Sequence, residues 1–457
     1  MTTSPSPRSL TAIVLAAGKG TRMRSDLPKV LHKVAGRTML GHVLAAVREA
    51  GATRVGVVAE PGRADVAAEI ERQAPGAGVF AQAERLGTAH AVLAARALLA
   101  EAADDVIVAF GDTPLVTAET FTRLRAPLAA GAAVAVLAFE TETPTGYGRV
   151  LTEGERVVAI REEKDASPAE RQVRLCNAGL MALGGAHALR LLERIGNDNA
   201  AGEYYLPDAV ALAVADGLTV AVVPVDEPEA QGVNDRVQLA AAEAVVQARL
   251  RRAALLGGAT LAAPETVFFS HDTVLGRDVT VEPNVVFGPG VTVADGCTVR
   301  AFAHLTDVRL EAGVKIGPFV RMRGGAVLEQ GAEIGNFVEL KNTRMGPGAK
   351  AAHLTYLGDA EVGAKANVGA GTITCNYDGV FKHRTSIGAG AFIGSNSALV
   401  APVTIGAGAL VAAGSVITQD VPEGALAVAR GRQEVRPGWA VRMRERLLAL
   451  KERRTGR

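Results

Sequence analysis

A doubly wound, Rossmann-like α/β domain, then a linker helix, then a parallel β-helix is the architecture that the sequence predicts. Three observations carry it. Strand-like and helix-like runs alternate from Leu10 to Phe110, an aliphatic residue recurs every six positions from near Leu275 to about Ile417, and one long helical pattern lies between them over 239–256, stopped by Gly257-Gly258. At 457 residues the chain exceeds one ordinary core. The expected divisions are a flexible tail (1–10), the α/β domain (11–238), the linker helix (239–258) and the β-helix with a basic C-terminal segment (259–457).

The first strand, 10–16, reads as buried and runs into Ala17-Gly18-Lys19-Gly20-Thr21-Arg22-Met23, then Asp26-Leu27-Pro28-Lys29-Val30-Leu31. A strand feeding a glycine loop with cations lets backbone amides approach phosphates while Lys and Arg neutralise charge. The spacing is neither a P-loop nor a full dinucleotide fingerprint, since Met23 stands where the third glycine belongs. Taken alone, the glycines also fit a tight strand turn. A helix over 39–50, a strand over 54–59, a helix over 64–73, a short strand near Val79, a helix over 89–100 and a strand over 106–110 continue the rhythm. Ligands in such sheets sit at the carboxyl ends of strands. Three polar stretches fall there: Gln82 to Thr88, Phe110-Gly111-Asp112-Thr113-Pro114, and Gly232-Val233-Asn234-Asp235. Asp112 suits a hard-metal ligand, although an Asp after a strand is more often a cap or turn residue.

In the second half the anchors include Leu275, Val281, Phe287, Val293 and Val299, then Ile316, Met322, Leu328, Ile334 and Leu340, then Ile387 to Ile417. A small or aliphatic residue four places on (Val279, Val285, Val291, Cys297, Ala326, Ala332) points into the same narrow prism. The beat slips by one residue from Leu305 to Leu310, Leu340 to Met345 and Leu357 to Val362. There the fourth position holds Arg309, Arg344 or Glu361, which cannot be buried unpaired, and Val308, Thr343 or Ala360 sits one place earlier. A larger break from Thr374 to Ile387 is too polar for a coil and is the first place to look for function. Arg323 and Lys341 each follow an anchor and stand three hexads apart, so they stack about 5 Å apart on one face. Two such cations repel unless solvent or an anion intervenes, and phosphate is a natural occupant; two solvated cations are the plainer alternative.

Composition bounds the partners. A net charge of +1 gives no overall field toward nucleic acid or membrane, and no stretch is long and apolar enough to span a bilayer. Cys176, Cys297 and Cys375 have no metal spacing and suit a reducing compartment, so a cytoplasmic protein is expected. The opening Met-Thr-Thr-Ser-Pro-Ser-Pro-Arg-Ser reads as a loose tail, not a signal peptide. The segment 441–457, rich in Arg and Lys without interleaved aromatics, reads as a solvated helix.

The run Leu15-Ala-Ala-Gly-Lys-Gly-Thr-Arg-Met with Asp-Leu-Pro-Lys-Val-Leu resembles sugar-phosphate nucleotidylyltransferases. The hexapeptide region with His353-Leu-Thr-Tyr-Leu-Gly-Asp-Ala and Gly369-Ala-Gly-Thr-Ile-Thr-Cys-Asn-Tyr-Asp-Gly resembles left-handed β-helix acetyltransferases. In this order, from about Ile13 to Trp439, they resemble the bifunctional bacterial N-acetylglucosamine-1-phosphate uridylyltransferase and glucosamine-1-phosphate N-acetyltransferase family. The resemblance implies uridylyl transfer from UTP in the first domain. Leu15, Ala16, Ala17 and Gly18 then hold nucleotide, Arg22 and Lys29 face its phosphates, and Gln82, Gly87 and Thr88 hold uracil. Phe110 and Gly111 line the site, Asp112 and Asn234 bind Mg²⁺, and Gly146, Glu162 and Asn177 position the sugar. Phe110 stands where tyrosine is common, Ala178 where a hydroxyl residue is common, and Asp235 beside Asn234 leaves open which oxygen is the second metal ligand.

For the second domain the resemblance implies acetyl transfer from acetyl-CoA to the amine of glucosamine 1-phosphate, with His353 as the base. Arg323, Lys341, Tyr356 and Asn367 would hold the sugar phosphate, and Asn376 would lie beside the base. Ala370, Asn376, Tyr377, Ser395, Ala413 and Arg430 would line the acetyl-CoA groove, between the subunits of a homotrimer. A nucleotidylyltransferase with a merely structural β-helix, or a non-catalytic scaffold, needs neither His353 nor the Arg323 and Lys341 pair nor the loop after Thr374.

Overall fold

The computed structural model describes residues 8–101, 103–154 and 156–455. They form two compact units, divided between Ala253 and Ala254, with residues 268–271 counted in the first.

The first unit is built on a nine-stranded sheet. Its strands are β1 (Leu10–Leu15), β2 (Arg54–Ala59), β3 (Gly78–Ala81), β4 (Asp105–Phe110), β5 (Val134–Glu140), the hairpin β6 (Arg149–Glu153) and β7 (Arg156–Arg161), β8 (Leu175–Gly184) and β9 (Val220–Pro224). The main order is β9-β5-β8-β4-β1-β2-β3. β1 is buried along its whole length, as a central strand covered on both faces must be. It pairs in parallel with β2 and β4, so the loops after all three open on one edge. β8 runs antiparallel to both β4 and β5 and bulges between Asn177 and Met181. The expected helix over 89–100 is two, Thr88–Ala94 and Arg96–Ala100, because the buried Ala95 turns out of helical geometry (φ −93°, ψ 27°).

The expected tail is shorter than its ten residues. Leu10 belongs to β1, Arg8 pairs with Asp105 at 2.5 Å, and the Ser9 hydroxyl donates to Asp104 at 2.8 Å; residues 1–7 lie outside the described residues. The long helix runs Arg236–Leu256, three residues earlier than its apolar pattern starts. Asp235 explains the difference: its carboxylate accepts the backbone N–H of Gln238 at 2.9 Å, an N-cap contact.

The second unit is a parallel β-helix of the left-handed hexapeptide class. One face is a ten-stranded parallel sheet from Thr260–Leu261 to Leu426–Ala427, so the solenoid extends one rung beyond the legible beat at either end. The other two faces merge into a fourteen-stranded sheet, because Glu339–Met345 and Tyr356–Val362 run unbroken around a corner. The three slips fall as the sequence predicts. Val308, Thr343 and Ala360 are buried while Arg309, Arg344 and Glu361 stay exposed. Thr343, polar but inside, donates its hydroxyl to Leu357 O at 2.8 Å and so is satisfied. Residues 376–384 leave the prism between Ile373–Cys375 and Thr385–Ile387, closed by a bridge between Tyr377 and Lys382.

Candidate active sites

In the first unit a cleft of about 330 Å³ opens at the carboxyl ends of the parallel strands. Leu15, Ala16, Ala17, Gly18, Lys29, Gln82, Gly87, Thr88, Phe110 and Asp112 all line it, from the connections after β1, β3 and β4. Gly87 is there for a steric reason. Its φ is +119°, and a Cβ would stand 2.6 Å from Tyr204 N, where the segment before the helix 208–215 crosses. The Gln82 amide donates to Gly87 O at 3.3 Å, and Thr88 Oγ1 accepts from Leu206 N at 2.9 Å, which ties this wall together.

One side of this cleft is a network of opposite charges. Lys29 Nζ is bonded to Asp112 Oδ2 and, at 3.1 Å, to Asn234 Oδ1; Arg22 Nη2 donates to the same oxygen at 3.0 Å. Asn234 is outside the cleft wall but joins it through these cations. Asp112 and Asn234 therefore present two oxygens converging on one cation, a hard-oxygen donor set whose chemistry fits Mg²⁺. Among the described residues no group of three or more His, Cys, Asp or Glu could hold a metal. Asp235 Oδ1 caps the long helix, and Asn234 Oδ1 is the oxygen that shares Lys29 with Asp112.

A further wall is reached through Phe110. A Cβ on Gly179 would stand 3.1 Å from the Phe110 ring, so the bulge carrying Asn177, Ala178 and Gly179 abuts the cleft. Asn177 is buried and its Oδ1 accepts from Gly179 N at 3.0 Å. Gly146 lies at a turn whose N–H meets Glu163 at 3.3 Å. Burial raises the Glu162 carboxyl above its ordinary range, with Asp208 and Asp165 adding repulsion. Glu203 also lines the cleft, unforeseen from sequence, and so does Arg85, from within the expected 82–88 stretch; Arg85 donates to Ala17 O at 3.1 Å and pairs with Glu60 at 3.0 Å.

On the β-helix the expected residues form two columns. In the first, Arg323 and Lys341 are register partners on adjacent coils, and Lys341 is partnered in turn by Gly358. The cations are not bare. Arg323 is held by Glu339 at 3.0 Å and Lys341 by Asp359 at 3.2 Å. These carboxylates already relieve the repulsion between the two stacked cations, with no anion required. Burial opposes charge on Asp359, yet hydrogen bonds from Asn342, Asn376 and Lys341 hold its carboxyl below the usual range. A Cβ on Gly358 would crowd Tyr356 Oη and stand 2.7 Å from Asn376 Nδ2, so Tyr356 and Asn376 close the same pocket-like corner.

The second column starts at His353. Gly371 N donates to His353 O at 3.4 Å, Asn396 N to Ala370 O at 2.7 Å, Gly414 N to Ser395 O at 2.7 Å, and Arg430 Nη1 to Ala413 O at 2.7 Å. His353, Ala370, Ser395, Ala413 and Arg430 thus descend one corner as a continuous strip. Asn367 stands apart on the ten-stranded face, partnered by Lys350 and Phe392, and Tyr356 lies on the next face. Tyr377 is exposed in the 376–384 loop, its ring beneath Lys382 Nζ at 3.8 Å. Asp378 staples that loop, accepting from Val380 N and Phe381 N and meeting His383 at 2.6 Å; the His383 bond, with those amides, drives its carboxyl far below the usual range.

Fold and sites together define a class: a nucleotidyltransferase domain joined to a hexapeptide-repeat transferase. Residues 12–199 match the MobA-like NTP transferase domain, and residues 272–307 and 384–419 match the bacterial transferase hexapeptide (six repeats). A protein of Azorhizobium caulinodans named "Bifunctional protein GlmU" is 65% identical over 439 residues, 96% of this chain and 98% of its own. One of Xanthobacter autotrophicus with the same name is 67% identical over 435 residues, 95% and 97% of the two chains. The chain belongs to the GlmU family. It is accordingly a bifunctional uridylyltransferase and acetyltransferase, as the two resemblances in its sequence implied.

Proposed function

We propose that the two units act in series to make UDP-N-acetylglucosamine: the β-helix acetylates glucosamine 1-phosphate, and the α/β unit uridylylates the product. The observation that carries the assignment of sites is the strip below His353, because a structural coil needs no histidine at its head and no arginine folded back on its foot. In the acetyl step the sugar amine attacks the thioester carbonyl of acetyl-CoA, His353 takes the ammonium proton, and CoA leaves as the thiol. Arg323, Lys341, Tyr356 and Asn376 form the sugar-phosphate wall. Ala370, Tyr377, Ser395, Ala413 and Arg430 line the acetyl-CoA strip.

In the uridylyl step a phosphate oxygen of N-acetylglucosamine 1-phosphate attacks the α-phosphorus of UTP and pyrophosphate leaves, with no protein nucleophile. Leu15 to Gly18, Gln82, Gly87 and Thr88 hold the nucleotide. Gly146, Glu162 and Asn177 orient the sugar. Arg22 and Lys29 neutralise the phosphates. Mg²⁺, held by Asp112 and Asn234, would supply further neutralisation of the phosphate oxygens.

A cytoplasmic homotrimer built through the β-helix completes the reading; UTP and acetyl-CoA are cytoplasmic co-substrates. Its support is a ladder on one prism corner. Phe302, Phe319 and Phe337 stack with ring centroids 4.7 and 5.1 Å apart, each at φ near +57° and about half exposed, and Leu354 follows one coil on at φ +50°. Bulky side chains rarely accept left-handed backbone, so an exposed apolar ladder held there fits a face that a second copy covers. The separation of Asn367 from Tyr356 suits a site completed by two copies. Two assays test the scheme: pyrophosphate release from UTP and N-acetylglucosamine 1-phosphate, and thiol release from acetyl-CoA and glucosamine 1-phosphate. His353→Ala abolishes the second and leaves the first near normal; equal loss of both would overturn the assignment. A monomer by sedimentation at micromolar concentration would overturn the trimer.

A further inference from the structure

We infer that Asn336 is the positioning residue for His353, fixing the ring so that Nε2 is the base. The inference rests on the proposed role of His353. Asn336 and His353 are register partners on adjacent coils, and Asn336 Oδ1 lies 2.7 Å from His353 Nδ1. An amide oxygen only accepts, so Nδ1 carries the proton and the lone pair sits on Nε2. Both residues border a cleft of about 330 Å³ on the ten-stranded face, where His353 is exposed to an incoming substrate.

The strands are built to meet here. Gly335 precedes Asn336, and a Cβ on it would stand 2.7 Å from the Ala352 carbonyl carbon and closer still to its oxygen. Any larger residue would push the two coils apart at the point where the amide reaches the imidazole. The 333–336 strand also extends two residues past the two-residue pairing of the preceding coil on this face, and Asn336 is its last residue. On the other side the ring is followed by Leu354, left-handed at φ +50°, and by Thr355, whose hydroxyl donates to His353 O at 2.7 Å. Backbone and side chain are thus pinned from opposite ends, with the Asn336 amide oxygen holding the imidazole.

The test compares Asn336→Asp and Asn336→Leu with the native protein and His353→Ala, following thiol release across pH. A carboxylate 2.7 Å from the ring favours the imidazolium, so Asn336→Asp moves the acid limb of kcat/KM upward by about one pH unit. Asn336→Leu, which removes the acceptor, lowers kcat about tenfold with KM for glucosamine 1-phosphate little changed. A purely structural role would leave the limb in place. If His353→Ala is inactive while Asn336→Asp shows the native limb, the positioning role is overturned and the base stands. If His353→Ala retains thiol release, the base itself is wrong and the inference falls with it. Pyrophosphate release and the thermal midpoint of each variant separate misfolding from loss of alignment.

Discussion

Gly358→Ala is the sharpest test of the proposed sugar-phosphate wall. The added methyl group would meet Asn376 Nδ2 at 2.7 Å, against about 3.4 Å for ordinary contact, and Tyr356 Oη more closely still. Gly358 is not left-handed, so the backbone accepts alanine and the clash falls on these two side chains. Asn376 must retreat by roughly 0.7 Å, which breaks its bond to Asp359. Losing a hydrogen bond to a charged group in a packed corner costs about 2 kcal/mol, a sum that leaves a domain of this size folded. Asp359 keeps Asn342 at 2.7 Å and Lys341 at 3.2 Å, so the phosphate column survives while the wall shifts. A displacement approaching an ångström at the reacting centre lowers kcat on the order of 100-fold. Thiol release measures it, and pyrophosphate release from the same preparation is the internal control, expected within about twofold of native because the uridylyl site lies in the other unit. Acetyl transfer within about threefold of native, a barrier change near 0.7 kcal/mol, would refute the reasoning.

Two further outcomes follow from the first unit. Gly87→Ala places a side chain at φ +119° and 2.6 Å from Tyr204 N, so UTP turnover falls at least about 100-fold with acetyl transfer intact; near-native pyrophosphate release would show that this wall does not touch nucleotide. His42 is partly buried, donates to Val34 O at 2.8 Å, and is pushed down to about 4 mainly by desolvation, with Arg37, His271 and Arg249 opposing its charge as well. Its folded pKa lies below the unfolded 6.5, so the unfolded state takes up the proton first. Stability is full above pH 6.5 and falls, by roughly 3 kcal/mol, as pH drops toward 4. His42→Gln, which keeps a donor, flattens the fall in a denaturant titration repeated from pH 7 to pH 4; an unchanged slope would refute it.

Much of this was legible because the relevant signals are local. The slips in the beat announce themselves by a charge at a position that must be buried, and the nucleotide loops by their place after apolar strands. What was not legible depends on where chains cross. Glu203 reaches the cleft from a loop that the sequence separates by more than a hundred residues from the 82–88 stretch it meets. Glu339 and Asp359 neutralise Arg323 and Lys341 diagonally, two positions and one position off the respective register partners, which a strict count of hexads overlooks. The phenylalanine ladder did have a signal: Phe302, Phe319 and Phe337 are spaced 17 and 18 residues apart, the length of successive coils. It was hidden because phenylalanine is not expected in left-handed backbone.

The slips and the chemistry share a physical cause. Each shortened turn must reverse direction with one residue fewer, and the residues at those corners are Asp307, Asn342 and Asp359, at φ +55°, +49° and +49°. Asn and Asp are the side-chain-bearing residues that most readily accept that conformation. A solenoid that shortens its turns therefore lines one corner with amides and carboxylates. In this chain two of them, Asn342 and Asp359, bond to each other at 2.7 Å, and Asp359 also receives Lys341 and Asn376. The 376–384 loop leaves the prism at that same corner on the next coil, carrying Asn376 with it. Restoring a sixth residue to the turn between Leu340 and Met345 would thus do more than bury or expose Arg344. It would relax the left-handed corner, move Asn342 off Asp359 and unseat the polar network around Lys341, so that a change in solenoid geometry reads out as loss of acetyl transfer.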